Sequence, residues 1–129
     1  MKRGLFIFAF TCLCGFISPS IVAIPLVQQQ QTKPLTETQK IEWLIAFIAK
    51  QEGTFIRNGS EYTPAQAAEH LRMKWKKAGD KISTAQDFIK HLASSSSVSG
   101  KPYQIKFKNG QVLNVGILLQ AELKRISQQ

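Results

Sequence analysis

Cysteine is nearly absent from this chain of 129 residues, and both cysteines, Cys12 and Cys14, lie close to the N-terminus. If that segment is removed on export, the remaining domain has no thiol. It can then form neither a disulfide bond nor a cysteine-based zinc site. We expect an apolar core to hold the domain together, because burial of roughly two-thirds of the surface is feasible at this size.

Acidic residues are also scarce: 8 Asp and Glu stand against 17 Lys and Arg, for a formal net charge of +9. No paired-carboxylate pattern of general acid–base catalysis stands out. In a cytosolic protein this charge would suggest nucleic acid. In an exported protein, where we expect no nucleic acid, the available anions are lipid head groups, phosphorylated saccharides, peptidoglycan carboxylates and acidic proteins. A basic surface that serves only solubility explains the charge equally well.

The chain also lacks a hydrophobic run long enough to span a membrane. Residues 4–17 are apolar, but Gly15 and the later Pro19 leave the run short of the ~20 residues that a spanning helix needs. The basic start Met1-Lys2-Arg3 and the small residue Ala23 are typical of a cleavable secretory signal peptide. We therefore expect a periplasmic protein that meets the membrane only before cleavage, with an uncleaved anchor as the alternative.

The predicted organisation has three parts. Residues 1–23 form the signal peptide, residues 24–35 a flexible linker, and residues 36–129 a single globular domain. The predicted fold class is α+β: a small, mostly helical domain of three to four helices with a short antiparallel β-hairpin.

Helix starts are well marked. Thr36 with Gln39 and Thr63 with Gln66 fit capping boxes, and Thr84 can cap a third helix. Apolar stripes follow the first two starts: Ile41, Leu44, Ile45 and Ile48 in one, and Ala67, Ala68, Leu71, Trp75 and Ala78 in the other. We expect the first helix to be central, with Trp43 and Leu44 buried, and to end at Gly53 in a left-handed conformation.

Strands and turns are expected in two places. Asn58-Gly59 predicts a tight turn, because both residues tolerate positive φ. Residues 103–107 alternate apolar and polar side chains, as a half-buried strand does. Asn109-Gly110 predicts a type I′ turn into residues 111–115. A short closing helix would then carry Leu119, Leu123 and Ile126 on one face.

Several catalytic motifs can be excluded. A P-loop would need glycine in place of Ser95 and Ser or Thr in place of Pro102. A Ser-x-x-Lys nucleophile fails because Val98 stands three residues before Lys101. His70 and His91 lack the spacing and the cysteine partners of a metal site, so we expect neither a metal nor a cofactor. A hydrolase that uses a serine with one of these histidines stays open, because triads assemble in space.

A binding site for an anionic or polar ligand is the interpretation that remains. Arg57 offers a planar fork of donors and Lys101 a point charge, while the serine-rich loop offers hydroxyl and N–H groups. The candidate residues are Arg57, Asn58, Gly59, His70, Ser94, Ser95, Ser96, Ser97, Ser99, Gly100, Lys101 and Tyr103. A structural role, in which Arg57 and the serines tie two loops to the helices, explains the same residues.

Four motifs in fixed order also carry a family resemblance. They are Phe55-x-Arg57-Asn58-Gly59, His70-Leu71-Arg72-x-Lys74, Ile82-x-Thr84-Ala85-x-x-Phe88-Ile89, and Ala93-Ser94-Ser95-Ser96-Ser97-x-x-Gly100-Lys101-Pro102-Tyr103. Over roughly residues 53 to 107, the chain resembles the YfeK-type family of small exported proteins of Gram-negative bacteria, a domain of unknown function. The resemblance implies a periplasmic setting and brings no activity, cofactor or catalytic residue.

The expected function is therefore a non-enzymatic periplasmic binding or accessory protein for an anionic or polar envelope ligand. One alternative is an inhibitor or immunity-type protein, which would present a protruding loop to an acidic partner protein. The second is a hydrolase, which would place a serine hydroxyl within about 3 Å of a histidine in a closed pocket.

Overall fold

The computed structural model of the chain describes Gly15 and residues 33–129. The predicted signal peptide, apart from Gly15, and most of the predicted linker therefore lie outside the described residues. Within the described part, no helix combines the length and the apolar character needed to cross a membrane.

Helical segments alternate with pairs of strands along residues 33–129. The helices are α1 (Glu37–Ala49), α2 (Pro64–Ala78), α3 (Ala85–Asp87), which continues directly into a π-helix (Phe88–Ala93), and α4 (Val115–Ile126). The strands are β1 (Gly53–Arg57), β2 (Ser60–Tyr62), β3 (Gln104–Phe107) and β4 (Val112–Asn114). A 3₁₀ turn (Gly79–Lys81) follows α2. This arrangement confirms the predicted α+β class, with helices as its larger part.

The three predicted helix starts are confirmed by their capping bonds. Thr36 Oγ1 accepts a hydrogen bond from the N–H of Gln39, and Thr63 Oγ1 accepts one from the N–H of Gln66, each at 3.2 Å. Thr84 Oγ1 accepts from Asp87 N at 3.0 Å. These bonds satisfy N–H groups that have no partner within the helix.

The sheet is larger than the predicted hairpin. Its four strands lie in the order β2-β1-β3-β4, and each neighbouring pair is antiparallel. Phe55 pairs with Tyr62 on one side and with Ile105 on the other. Phe55 and Ile105 are buried whereas Lys106 is exposed, so one face of the sheet packs against the helices. Arg57, two residues after Phe55, lies on this same packed face, because side chains alternate along a strand.

The core is built on the predicted stripe of α1. Ile41, Leu44, Ile45 and Ile48 are buried together with Phe88, Ile105 and Leu119. The prediction for Trp43 is wrong: its side chain is 45% exposed, and its indole N–H donates to Glu122 at 2.8 Å. Helix α1 thus buries one face only, and Trp43 lies at its border with α4.

Two glycine predictions are also wrong. Helix α1 ends at Ala49 with Lys50 as its C-cap, and Gly53 is instead the first residue of β1. A Cβ atom at Gly53 would lie 2.8 Å from the carbonyl oxygen of Lys106, so the close strand pairing requires glycine there. The Asn109-Gly110 turn was predicted to be type I′, which requires a positive φ at both residues. Gly110 has a positive φ of 86° but Asn109 does not, so the turn is not type I′. Asn58-Gly59 does have the two positive φ angles, 53° and 79°, that a type I′ turn requires.

Candidate functional site

The β1–β2 hairpin holds Arg57 against helix α2. Arg57 Nη1 lies 3.0 Å from Nδ1 and 2.9 Å from Nε2 of His70. Its guanidinium carbon is 5.3 Å from the centre of the Tyr62 ring, which is a cation–π distance. Because a guanidinium has donors only, the contact with His70 requires a neutral imidazole with one nitrogen free to accept.

Lys74, one helical turn after His70, adds a third basic group. Its ammonium nitrogen donates to the carbonyl oxygen of Leu92 at 2.7 Å and lies 3.3 Å from the hydroxyl oxygen of Tyr103. The Tyr103 ring also meets the His70 ring edge-on, with the ring centres 6.3 Å apart. Arg57, His70 and Lys74, gathered around the aromatic rings of Tyr62 and Tyr103, form what we call the cationic cluster.

Among residues 33–129, no carboxylate forms an ion pair with the cationic cluster. Within residues 33–129, the ion pairs join Lys40 to Glu37, Arg72 to Glu69, Lys108 to Glu52 and Arg125 to Glu122. None of these pairs includes Arg57 or Lys74. Positive charges that are partly removed from water and unpaired repel one another, so an anion placed between them would be attracted.

The pKa shifts in the cluster follow from this arrangement. Burial lowers the pKa of His70 below its usual 6.5, and the charges of Arg57 and Lys74 lower it further. Burial also lowers the pKa of Lys74, with Arg57 acting in the same direction. The pKa of Tyr103 is raised by burial, although the charge of Arg57 opposes that shift. The lowered pKa of His70 favours the neutral imidazole, which is the form that its contact with Arg57 requires.

A cavity of about 300 Å³ opens beside the cationic cluster. Its apolar walls come from the sheet, from α2 and from the start of α4, and include Phe55, Tyr62, Ala67, Leu71, Met73 and Val115. Its polar lining includes Arg57, His70, Gln66 and Glu69, and Tyr103 also contributes to the wall. Ligand pockets in proteins are typically of this kind, mostly apolar with a few polar groups that fix orientation.

The serine-rich loop forms a separate structure. Asn58 Nδ2 donates to Ser96 Oγ at 3.2 Å, and Ser99 Oγ donates to Asn58 Oδ1. The side chain of Asn58 therefore connects the serine-rich loop to the β1–β2 turn. None of the predicted serines lines the cavity beside the cationic cluster.

The donors of this loop are mostly used within it. The N–H groups of Ser96 and Gly100 bond to the backbone carbonyls of Lys101 and Ser96, each at 2.9 Å. The N–H groups of Val98 and Ser99 approach Ser96 Oγ at 3.4 Å, and that of Lys101 approaches Ser99 Oγ at 3.3 Å. Ser94 Oγ donates to the carbonyl oxygen of Ile89 at 2.7 Å. These bonds shape the loop and leave few N–H groups for an external anion.

The predicted site residues thus fall into two groups. The structure brings Arg57, His70 and Tyr103 to one cavity, and it brings Asn58, Ser96 and Ser99 into one loop network. Ser94 and Ser95 line a different surface depression, and Gly59, Ser97, Gly100 and Lys101 are exposed. Sequence reasoning missed Tyr62 and Lys74 as neighbours of Arg57. The spacing of Lys74 one turn after His70, together with the register of β2 opposite β1, was the available signal.

Neither histidine belongs to a candidate metal site within residues 33–129. Among the residues that the structure describes, no group of three or more His, Cys, Asp or Glu could hold a metal ion. The ring nitrogens of His70 face Arg57, and the hydroxyl groups of Ser94, Ser96 and Ser99 are engaged elsewhere.

Comparison with known proteins agrees with the motif-based resemblance. Residues 35–127 match a family of unknown function, DUF5329. The chain is 45% identical over 60 residues to the uncharacterized protein YfeK of Salmonella typhimurium (strain LT2), which is 46% of this chain. The match spans 50% of that relative's length. No solved structure matches the chain.

Proposed function

The chain belongs to the DUF5329 family, and since that membership assigns no activity, we propose from the geometry that it is a non-enzymatic binding protein. Its ligand would be an anionic component of the cell envelope, reached after export. The observation that carries the proposal is the cationic cluster, in which three basic groups meet beside a cavity without a carboxylate partner among residues 33–129.

Arg57 is the central residue of this proposal. It contacts His70, lies over Tyr62 and lines the cavity, so its guanidinium can offer a planar pair of donors to a carboxylate or phosphate. Lys74 would contribute mainly through its charge, because its ammonium group already bonds to Leu92 and Tyr103. The serine-rich loop, whose N–H groups bond internally, has no part in the anion site.

The proposal is tested by titrating the protein with sodium octanoate and with inorganic phosphate, at two salt concentrations. We expect at least one anion to shift the NMR signals of His70 and Tyr103, with an affinity that falls as salt is added. Arg57→Ala should weaken binding by about 1.5–3 kcal/mol, as expected for a charged hydrogen bond. Lys76→Ala removes an exposed charge on helix α2 and should change little.

Three results would overturn the proposal. The first is that neither anion binds, and the second is an equal loss from Arg57→Ala and Lys76→Ala, which indicates diffuse charge attraction only. The third is that Arg57→Ala unfolds the protein while Arg57→Lys, which keeps the charge, restores the fold without any anion binding. Arg57 would then be a structural tie between β1 and α2.

A second candidate function rests on the serine-rich loop. Val98, at its tip, is 96% exposed, although the surrounding N–H groups hold the loop in one shape. An exposed, internally hydrogen-bonded loop with an apolar tip and Lys101 nearby is what an inhibitor or immunity-type protein would present to an acidic partner. A photo-crosslinker at position 98 should then give a discrete product in cells that Lys101→Glu abolishes, whereas a crosslinker at position 76 should not.

A further inference from the structure

The apolar walls of the cavity indicate which kind of group is attached to the anionic part of the ligand. A small hydrated anion such as phosphate needs only the cationic cluster and would leave the apolar walls in contact with water. The cavity is nevertheless lined mainly by carbon, with Phe55, Ala67, Leu71 and Val115 among its walls. Apolar surface held open in this way is covered most favourably by an apolar group, because burial removes that surface from water.

Met73, at the rim of the cavity, supports the same interpretation. It lines the cavity, yet it is 56% exposed, and it is among the most exposed large apolar side chains of the domain. Methionine is flexible and polarizable, so it adapts its contacts to the shape of an apolar guest. An exposed methionine at the rim is therefore suited to close over an apolar group that enters beside α2.

The volume limits the size of that group. An apolar protein cavity of roughly 150 Å³ is large enough for benzene. The cavity here, at about 300 Å³, is twice as large. It therefore accepts a ligand on the order of ten to twelve non-hydrogen atoms, which is far smaller than a complete membrane lipid.

We propose, building on the anion-binding function above, that the ligand is a small soluble amphiphile with one anionic head group and an apolar body of medium-chain size. The head group meets Arg57 and His70, and the apolar body fills the cavity under Met73. Glu69 also lines the cavity, but its carboxylate is paired with Arg72 at 3.3 Å, so it does not cancel the charge of the cluster.

The test is a chain-length series of linear carboxylates from acetate to dodecanoate, titrated into the full protein and followed by NMR. Affinity should rise by a factor of about four for each methylene that leaves water, and by up to roughly four thousandfold over the six methylenes that separate acetate from octanoate. It should stop rising near eight to ten carbons, where the cavity is full. Octylamine, which carries the opposite charge on the same tail, should bind at least about tenfold more weakly than octanoate.

Two substitutions on α2 probe the cavity itself. Ala67→Phe places a ring in the cavity and should reduce octanoate affinity by about tenfold while acetate affinity stays within about twofold. Ala65→Phe adds the same ring at an exposed position of the same helix and should leave both affinities unchanged. Anionic phosphatidylglycerol vesicles should not displace octanoate, because their lipids exceed the volume of the cavity.

The outcomes separate this inference from the function on which it rests. Equal affinity for acetate and octanoate, or displacement of octanoate by the vesicles, would overturn the small amphiphile and leave the anion site standing. If no carboxylate binds, or octylamine binds as tightly as octanoate, the amphiphile is wrong, and the anion-binding function is wrong as well unless inorganic phosphate binds. If Ala67→Phe fails to fold, the chain-length series alone decides.

Discussion

The carbonyl oxygen of Leu92, in the last turn of the π-helix, accepts a hydrogen bond of 2.7 Å from the ammonium group of Lys74. Carbonyl groups at the end of a helix lack partners within the helix, and the negative end of the helix dipole favours a cation there. The same bond ties α2 to the π-helix and holds a positive charge beside Tyr103. One contact thus serves both the packing of the helices and the electrostatics of the cationic cluster.

Replacement of Lys74 should therefore affect both properties. We expect Lys74→Met to lower the free energy of unfolding by about 1–3 kcal/mol, because it leaves the Leu92 carbonyl without this donor. It should also raise the pKa of His70, since the charge of Lys74 is one of the causes that lower it. Chemical denaturation and an NMR titration of the imidazole measure the two effects. Lys76→Met, at an exposed position, should show neither, and equal effects from both variants would contradict the role given to Lys74.

The stability of the domain should depend on pH through His70. Its pKa in the folded protein is lowered, mainly by burial and then by Arg57 and Lys74, so the unfolded chain binds the proton more readily. The contribution of neutral His70 to the free energy of unfolding is therefore fully present above its ordinary pKa of about 6.5. This contribution is lost as the pH falls below that value and through the lowered pKa of the folded protein. Urea denaturation at a series of pH values between 7.5 and 5 should show this decrease.

The His70→Gln variant tests the assignment. Glutamine cannot gain the proton, so the decrease in stability between pH 7.5 and 5 should be much smaller. Glu37 and Glu122 contribute at lower pH only, because hydrogen bonds from Lys40 and Arg125 respectively lower their pKa values below 4.5. His91→Gln, at an exposed position, serves as the matched substitution. An unchanged slope in His70→Gln would mean that another group controls the pH dependence.

The buried stripe of α1 should dominate the stability of the core. Leu44 is completely buried, and Leu44→Ala should lower the free energy of unfolding by about 2–5 kcal/mol through lost apolar contact and the cavity left behind. Ile117→Ala removes a comparable amount of side chain at an exposed position of α4 and should cost less than about 1 kcal/mol. Similar thermal unfolding of Leu44→Ala and the parent would contradict the assignment of Leu44 to the core.

The parts of the fold that are fixed locally were predictable from sequence. Capping residues such as Thr36 and Thr63 act through bonds only three residues long, and the stripe of α1 repeats at the helical period. Pairings between distant segments were not predictable in this way. Gly53 was interpreted as a helix end, although the reason for glycine there is the approach of Lys106, which comes from a strand far along the chain.

The candidate site was predictable to a similar degree. The sequence marked Arg57, His70 and Tyr103 through their residue types, and the fold brings them to one cavity. It could not indicate that the serine-rich loop would satisfy its own N–H groups, because that depends on backbone geometry. The sequence also could not indicate that Lys74 lacks an ion-pair partner. Whether a carboxylate lies close to Lys74 depends on where the complete fold places each acidic side chain.

Asn58 belongs to the hydrogen-bond network of the serine-rich loop and does not line the cavity beside the cationic cluster. Removal of the Asn58 side chain is the last test. Asn58→Gly keeps the positive φ of the turn at little cost and deletes only the side chain that bonds to Ser96 and Ser99. We expect the amide protons of Val98 and Ser99 to exchange about tenfold faster, as follows from the loss of about 1.4 kcal/mol in two neutral hydrogen bonds. Asn109→Gly, in the β3–β4 turn, should leave those protons unaffected.

The same variant shows whether the loop contributes to ligand binding. Because no serine lines the cavity beside the cationic cluster, octanoate affinity in Asn58→Gly should stay within about twofold of the parent. Unchanged exchange at Val98 and Ser99 would contradict the proposed connection through Asn58. A large loss of octanoate affinity, with faster exchange, would instead place the serine-rich loop in the same functional site as Arg57 and His70.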